Sequence, residues 1–275
     1  MKPSEYHAHP AWSPTALKAA VTGTMQAWWH RFGPEALAFE PSGDMVKGDL
    51  VDALLTPPFL LEQRFAVFST IARNTKAGAA NCAAAKAAGL TPVSAEMVEQ
   101  AQQIAAALRR DPVIGEVLAA MAQQHSQQPH FWSDAAGRPC RCLPDVVTTD
   151  GRVYDLEKTR SAVPRRFYWQ AKELAYDLQL AHLALGHADR TGSLPSEIGF
   201  LVFEWEEPYD CALLVFDEQD LAIGLERREE AFRRIAACQA SGNWPSHGRQ
   251  PFRHLSTASR APESERLDAE SIALF

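Results

Sequence analysis

Positive charge is in short supply in this 275-residue chain, where 27 lysines and arginines face 34 aspartates and glutamates for a formal charge of −7. That excludes a protein that coats nucleic acid through bulk positive charge, though not one with a local basic groove. Cysteine is scarce too. Its five residues, Cys82, Cys140, Cys142, Cys211 and Cys238, are odd in number and scattered, so they are read as reduced thiols rather than a disulfide framework. No run of about 18 apolar residues occurs, and the opening MKPSEYHAHPAWS lacks the basic-then-apolar layout of a secretory signal. A cytoplasmic location without membrane contact is expected. Also lacking are a phosphate-binding Walker loop, a dinucleotide fingerprint, a Ser-His-Asp arrangement and any internal repeat.

What the chain does have is 46% hydrophobic residues, enough for one sizeable core. Ser13 can cap a helix carrying Leu17, Val21 and Trp28-Trp29 up to Gly33-Pro34. A second helix is predicted over Val46 to Leu55, a third from Ser94 through Leu108, and a fourth from Pro112 to Gln124. The alanine-rich stretch Lys76 to Gly89 permits a helix but is weakly patterned. Beyond it, PHFWSDAAGRPCRCLPDVVTTDGRVYDLE has turn signals at Ala136-Gly137 and Asp150-Gly151 and reads as a three-stranded antiparallel meander. A long amphipathic helix follows, with Phe167, Ala171, Leu174, Leu178, Ala181 and Leu185 at helical spacing. Two strands, EIGFLVFEW and YDCALLVF, then precede a helix capped by Asp217. This order suits an α/β or α+β fold with one mixed sheet flanked by helices. Residues 1–246 are expected to form one domain, with a helical part over 1–125 and a core over 126–246. The rest, 247–275, is a polar tail with a docking end at Ile272 to Phe275.

Chemistry concentrates in the stretch Val153 to Thr159, VYDLEKT. With a two-residue loop at Asp150-Gly151, Asp145 faces Leu156 and the aspartates point to opposite sides of the sheet. With a three-residue loop at Thr149-Asp150-Gly151, Asp145 lies across from Asp155, and Glu157 joins them on the same face. Either loop satisfies the sequence. Converging carboxylates would be hard oxygen ligands of the kind Mg²⁺ prefers, and the alternative is a set of solvated acids at a strand end. Arg152 to Lys172 holds six basic residues against two acids, so this segment is locally positive; Arg160, Arg165 and Arg166 could contact phosphates or solvent. Cys140 and Cys142 with His130 are read as core thiols rather than a zinc site, His7 and His9 as part of the incoming segment, and His182 as a satisfied core histidine.

CRCLPD (Cys140 to Asp145), then DLEKTR (Asp155 to Arg160), then a helix containing YDLQ (Tyr176 to Gln179), resembles the PD-(D/E)xK nuclease core. The form it resembles is that of exodeoxyribonuclease VIII and phage-type recombination exonucleases. EYHAHPAWSPTALK, KGDLVDALLTP, PHFW, Pro208-Tyr209 and Trp244-Pro245 are similar to further landmarks of that family, covering the chain to about Ser246. The resemblance implies a deoxyribonuclease dependent on Mg²⁺, or Mn²⁺, that degrades a strand from double-stranded DNA ends in phage or prophage recombination. It also implies a homo-oligomer, often ring-shaped, and a single-strand annealing protein as partner. By position, Asp145 and Asp155 would be metal ligands, and Gln179 the glutamine on the helix behind the site.

Four positions depart from the family's pattern. Asp52, four residues after Gly48, stands where the family has a histidine ligand, and Glu157 stands where it has the lysine of Asp-x-Lys. Leu143 and Leu183 replace an expected arginine and tyrosine. In one reading Asp52, Asp145, Asp155 and Glu157 together hold the metal, with Lys158 reaching the phosphate although alternation points it to the other face. In the other, losing the lysine leaves a protein that binds DNA or a recombination partner without cutting.

Overall fold

The structure is a computed structural model that describes residues 3–36, 41–55, 61–71 and 75–248. The predicted tail from residue 249 and the docking end at Ile272 to Phe275 lie outside the described residues.

After α1 (Pro3–Ala8), Ser13 accepts the Ala16 N–H at 3.3 Å and Pro14 takes the first helical position, where its missing N–H costs nothing, to open α2 (Pro14–Thr22). Gly23 ends it, so the predicted single helix is two. α3 (Met25–Phe32) starts anew on a Thr24 cap, and its Trp28 and Trp29 stack on Trp244. α4 (Gly43–Leu55) begins one turn before the predicted Val46. Then α5 (Leu61–Arg64) leads into β1 (Phe65–Phe68), α6 (Lys76–Ala87) covers the alanine-rich stretch, and β2 (Thr91–Ser94) pairs with β1 in parallel. These four-residue strands are too short for a readable alternation. α7 (Ala95–Arg110) has the predicted Ser94 cap, and α8 (Pro112–Ala119), capped by Asp111, stops before Gln124.

The predicted three-stranded meander is divided between two sheets. β3 (His130–Ser133) and β4 (Pro139–Cys142) form their own antiparallel pair. Pro144 has no N–H to donate and disfavours helical backbone at the residue before it, and pairing resumes only at β5 (Val146–Val147) with β6 (Arg152–Thr159).

A second correction concerns the long helix, which is interrupted. α9 (Pro164–Glu173) ends before Ala175, whose φ of 51° is left-handed, and α10 (Tyr176–Thr191) starts after it as a separate helix. Leu174, on the predicted apolar stripe, is thereby 41% exposed. The apolar spacing runs through the break without a gap, so periodicity could not show it.

α9 and α10 together form the crossover that lets β7 (Glu197–Glu204) pair in parallel with β6, and β8 (Cys211–Val215) adds antiparallel to β7. Six consecutive residues of β7 are buried, as a strand covered on both faces requires. The central sheet therefore runs β5-β6-β7-β8. On one face Val153, Ile198, Phe200 and Val202 pack with residues of α2, α10 and α11 (Glu218–Ser241); on the other Tyr154, Leu201 and Phe203 pack with residues of α4 and α7. α11 begins with a capping box between Asp217 and Asp220. It lies so close to α10 that a Cβ on Gly224 would stand 2.1 Å from the Asp177 carbonyl oxygen. Among the described residues no helix is long and apolar enough to cross a membrane.

A buried polar cluster ties α10, α11 and β4 together. The Arg228 Nε–H donates to His182 Nδ1 at 3.2 Å, and His182 Nε2 donates to the Arg141 carbonyl at 3.1 Å. Since arginine can only donate, His182 is fixed as the neutral Nε2–H tautomer. Arg228 also reaches Asp134 at 2.7 Å, and Asp134 receives Arg138 at 2.7 Å.

Candidate active site

The β5–β6 turn resolves the register. Thr148 N–H donates to the Arg152 carbonyl at 2.9 Å, leaving Thr149-Asp150-Gly151 as a three-residue loop with Gly151 at a left-handed φ of 83°. Asp145 accordingly stands across from Asp155, and their carboxyl groups meet. Burial, then the charges of Asp155 and Asp52, pushes the Asp145 carboxyl well above the usual carboxylate range. Burial also raises Asp155, against the pull of its hydrogen bonds to Asp145 and Gln179 and of the Lys18 charge. The Leu156 N–H donates to Asp145 at 2.8 Å, and the Gln179 amide donates to Asp155 from α10.

The other two predicted acids flank this pair. On the same strand face, Glu157 receives the Tyr176 hydroxyl at 2.6 Å, and burial raises its carboxyl as well. Asp52, buried on α4, is held by Arg64 at 2.8 Å. The side-chain amide of Gln127, a residue at the left-handed φ of 53°, donates to both Asp52 and Asp145, 2.7 Å from each. As the side chains lie, no three of the described histidines, cysteines and acids form a ready coordination shell. Asp145 and Asp155 come together directly, Asp52 joins them through one amide, and Glu157 is turned to Tyr176.

Two lysines divide between the sheet faces. Lys158 follows strand alternation to the α4 side, where it pairs with Asp44 at 3.2 Å, away from the paired aspartates. Lys18 comes from α2 on the opposite side and donates to the Gln179 carbonyl oxygen, with its Nζ 4.8 Å from the Tyr176 ring centre. Burial lowers its pKa, while Glu157 and Asp155 raise it. Lys18, Gln127 and Arg64 also surround the acids and carry no local sequence signal, because each reaches them only through tertiary packing. Arg160, Arg165 and Arg166 are exposed at and just before the start of α9, and so are Tyr168 and Trp169, at 49% and 56%.

The remaining candidates serve the fold. Cys140 and Cys142 are buried thiols, and His130 pairs with Asp189 at 2.7 Å. His7 lends its carbonyl to Arg141, and His9 Nδ1 accepts the Ala11 N–H at 3.1 Å. His182 is fully buried in the Arg228 cluster.

A family model described as a PDDEXK-like domain of unknown function (DUF3799) matches residues 13–250. The chain belongs to this family. Its paired acids thus occupy a PDDEXK-like domain, with Pro144-Asp145 and Asp155-x-Glu157 as the local sequence around the facing carboxyls. In three dimensions it is similar to a crystal structure titled "Putative exonuclease" from Eubacterium rectale, with a TM-score of 0.65 and 15% identity over 98% of both chains. A likeness at that identity establishes the fold. No curated protein matches the chain in sequence.

Proposed function

We propose that this protein is a metal-dependent deoxyribonuclease, and that it acts on double-stranded DNA ends in phage-type recombination. The observation that carries this reading is the meeting of the Asp145 and Asp155 carboxyls in a nuclease-type fold, backed by the Gln179 amide. The donor set is all carboxylate oxygen, which fits Mg²⁺ or Mn²⁺. Asp145, Asp155 and Glu157 would hold the ion, with Asp52 reaching it from α4. A divalent cation there supplies Lewis-acid polarisation of the scissile phosphate. The protein contributes the alignment: the Leu156 N–H fixes one Asp145 oxygen, Gln179 fixes one Asp155 oxygen, and the Tyr176 hydroxyl orients Glu157.

Incubating the protein with linear duplex DNA and Mg²⁺ or Mn²⁺, beside Asp145→Ala, tests the reading. The expected result is cation-dependent shortening by the parent and none by the variant. Absence of both cleavage and calorimetric Mg²⁺ uptake defeats it. The glutamate at position 157 favours one rival, a degenerate protein on the same fold that binds DNA or a recombination partner, and DNA binding without cleavage would establish that instead.

The DNA is taken to lie along α9, where Arg165, Arg166 and Lys172 offer phosphate contacts and exposed Tyr168 and Trp169 offer stacking faces for unpaired bases. Gln170 of the same helix bonds Thr159 of β6 at 3.0 Å and so anchors it beside the acids. Trp169→Ala is expected to weaken single-stranded DNA binding by about 5- to 150-fold, the range for one lost base stack. Arg165→Ala with Arg166→Ala should reduce the salt dependence by one to two phosphate contacts. Fluorescence anisotropy at several salt concentrations measures both, and unchanged affinity with an altered oligomeric state would make α9 a self-association face.

A further inference from the structure

We propose that Lys18, delivered from α2, supplies the positive charge that the motif lacks at Glu157 and donates to the non-bridging oxygens of the scissile phosphate. This inference rests on the nuclease reading.

Four observations support it. The residue two places after Asp155 is a glutamate, and the neighbouring lysine, Lys158, is engaged with Asp44 on the far side of the sheet. Lys18 closes a chain of contacts that ends on a paired acid, since its ammonium donates to Gln179, and the Gln179 amide in turn donates to Asp155. Its Nζ lies against the ring of the tyrosine that holds Glu157. Finally, among the described residues Lys18 makes no direct ion pair and its hydrogen-bond acceptor is the neutral Gln179. An ammonium has three N–H groups, so two remain to be given to phosphate oxygens.

Withdrawing an ammonium from water against Gln179 and the Tyr176 ring, without a carboxylate in direct contact, costs free energy that an alanine at position 18 would avoid. Placement opposite a substrate anion offsets that cost when DNA is bound. In hydrolysis a water oxygen bonds to phosphorus while the sugar oxygen departs with its bonding pair. One water proton ends on the sugar oxygen and the other is released to solvent, which leaves the added negative charge on the new phosphomonoester. Lys18 exchanges no atom in this; it neutralises charge that grows on the phosphate.

The experiment measures Mg²⁺-dependent cleavage of linear duplex by the full chain, as kcat and KM separately, for the parent, Lys18→Met, Lys18→Arg, Glu157→Lys and the double variant Lys18→Met with Glu157→Lys. Lys18→Met is expected to lower kcat by about 10²–10³-fold, the scale seen when one charge-stabilising donor is removed, with a smaller change in KM. Lys18→Arg should retain more activity than Lys18→Met. The double variant, which returns the ammonium to the strand, should recover at least about 10-fold over Lys18→Met, or about 1.4 kcal/mol of barrier. A lysine that only props Gln179 would not be replaced by one at position 157, so absence of recovery at saturating Mg²⁺, in a double variant whose calorimetric Mg²⁺ uptake shows that Asp145 and Asp155 still hold the ion without Glu157, overturns the proposal. A Lys18→Met protein that melts like the parent and keeps its kcat overturns it too, leaving the nuclease reading intact. An inert parent activated by Glu157→Lys alone shows that Lys18 does not supply the charge. Inertness of every variant removes the nuclease reading and this inference with it.

Discussion

Asp155→Asn is expected to lower cation-dependent DNA cleavage by about 10³-fold or more and, in the same protein, to raise the melting temperature measured in EDTA. The two effects share one cause. Burial raises both the Asp145 and Asp155 carboxyls, and the Asp155 charge pushes Asp145 up further, so the fold carries the cost of a withdrawn acid pair that only a cation or a shared proton relieves. Water still reaches both side chains, which limits the gain to about 1 kcal/mol, or about 2–4 °C for a chain of this size. The pH dependence has a definite sign. A carboxyl whose folded pKa is raised binds its proton more tightly in the fold, so this contribution is present below about pH 4 and is lost as pH rises through the elevated values. In the parent, Mg²⁺ at neutral pH should restore the loss by binding the folded state, and in Asp155→Asn both the cation response and the pH slope should shrink. Calorimetric melts in EDTA and in Mg²⁺ at acidic and neutral pH measure all three. If Asp155→Asn melts lower than the parent in EDTA while its Mg²⁺ stabilisation persists, the paired acids are not a cation site.

Arg228→Met should cost about 3–5 kcal/mol, seen as a fall of roughly 10 °C or more in melting temperature. Arg228 is 3% exposed and serves Asp134, His182 and the Cys140 sulfur at once. Without it Asp134 keeps Arg138 as its charged partner, beside the Ala136 N–H, and His182 Nδ1 has no donor. The same cluster sets the acid limit of stability. Burial first, then the Arg228 charge, pushes the His182 pKa down to about 3. A base with a depressed folded pKa contributes stability that is complete above about pH 6.5 and lost as pH falls toward its folded value, here up to about 4–5 kcal/mol. Replacing His182 with glutamine should flatten the stability profile between those limits. An unchanged acid-unfolding curve would remove His182 as its source. Because His182 and Gln179 share α10, loosening this cluster should also reach the paired acids.

The caps show how much was legible locally. Ser13, Ser94 and Asp217 start helices where the chain places them, because a side-chain oxygen and a following N–H are neighbours in sequence. The interruption at Ala175 was not legible, since a small buried residue in a left-handed conformation leaves no gap in the apolar spacing. Nor was the separation of β4 from β5, although Pro144 was visible, because which strand pairs with which is settled by partners distant in the chain. At the site, the local order Pro-Asp then Asp-x-Glu pointed to Asp145, Asp155 and Glu157, and the resemblance to the nuclease core put Gln179 on the helix behind them. Lys18 and Gln127 gave no such pattern: the first lies 161 residues from Gln179 and the second 75 from Asp52.

By itself the sequence determined the helix starts at Ser13, Ser94 and Asp217 and which acids stand on and beside β6, since these follow from side-chain chemistry and short-range geometry. Tertiary structure alone decided that the loop after β5 has three residues, that Asp145 therefore faces Asp155, and that Lys18 comes to the face with Asp155 and Glu157. The physical reason is that a strand's side-chain period is two: one residue of register moves a charge from one face of the sheet to the other, and only packing on both faces selects between them.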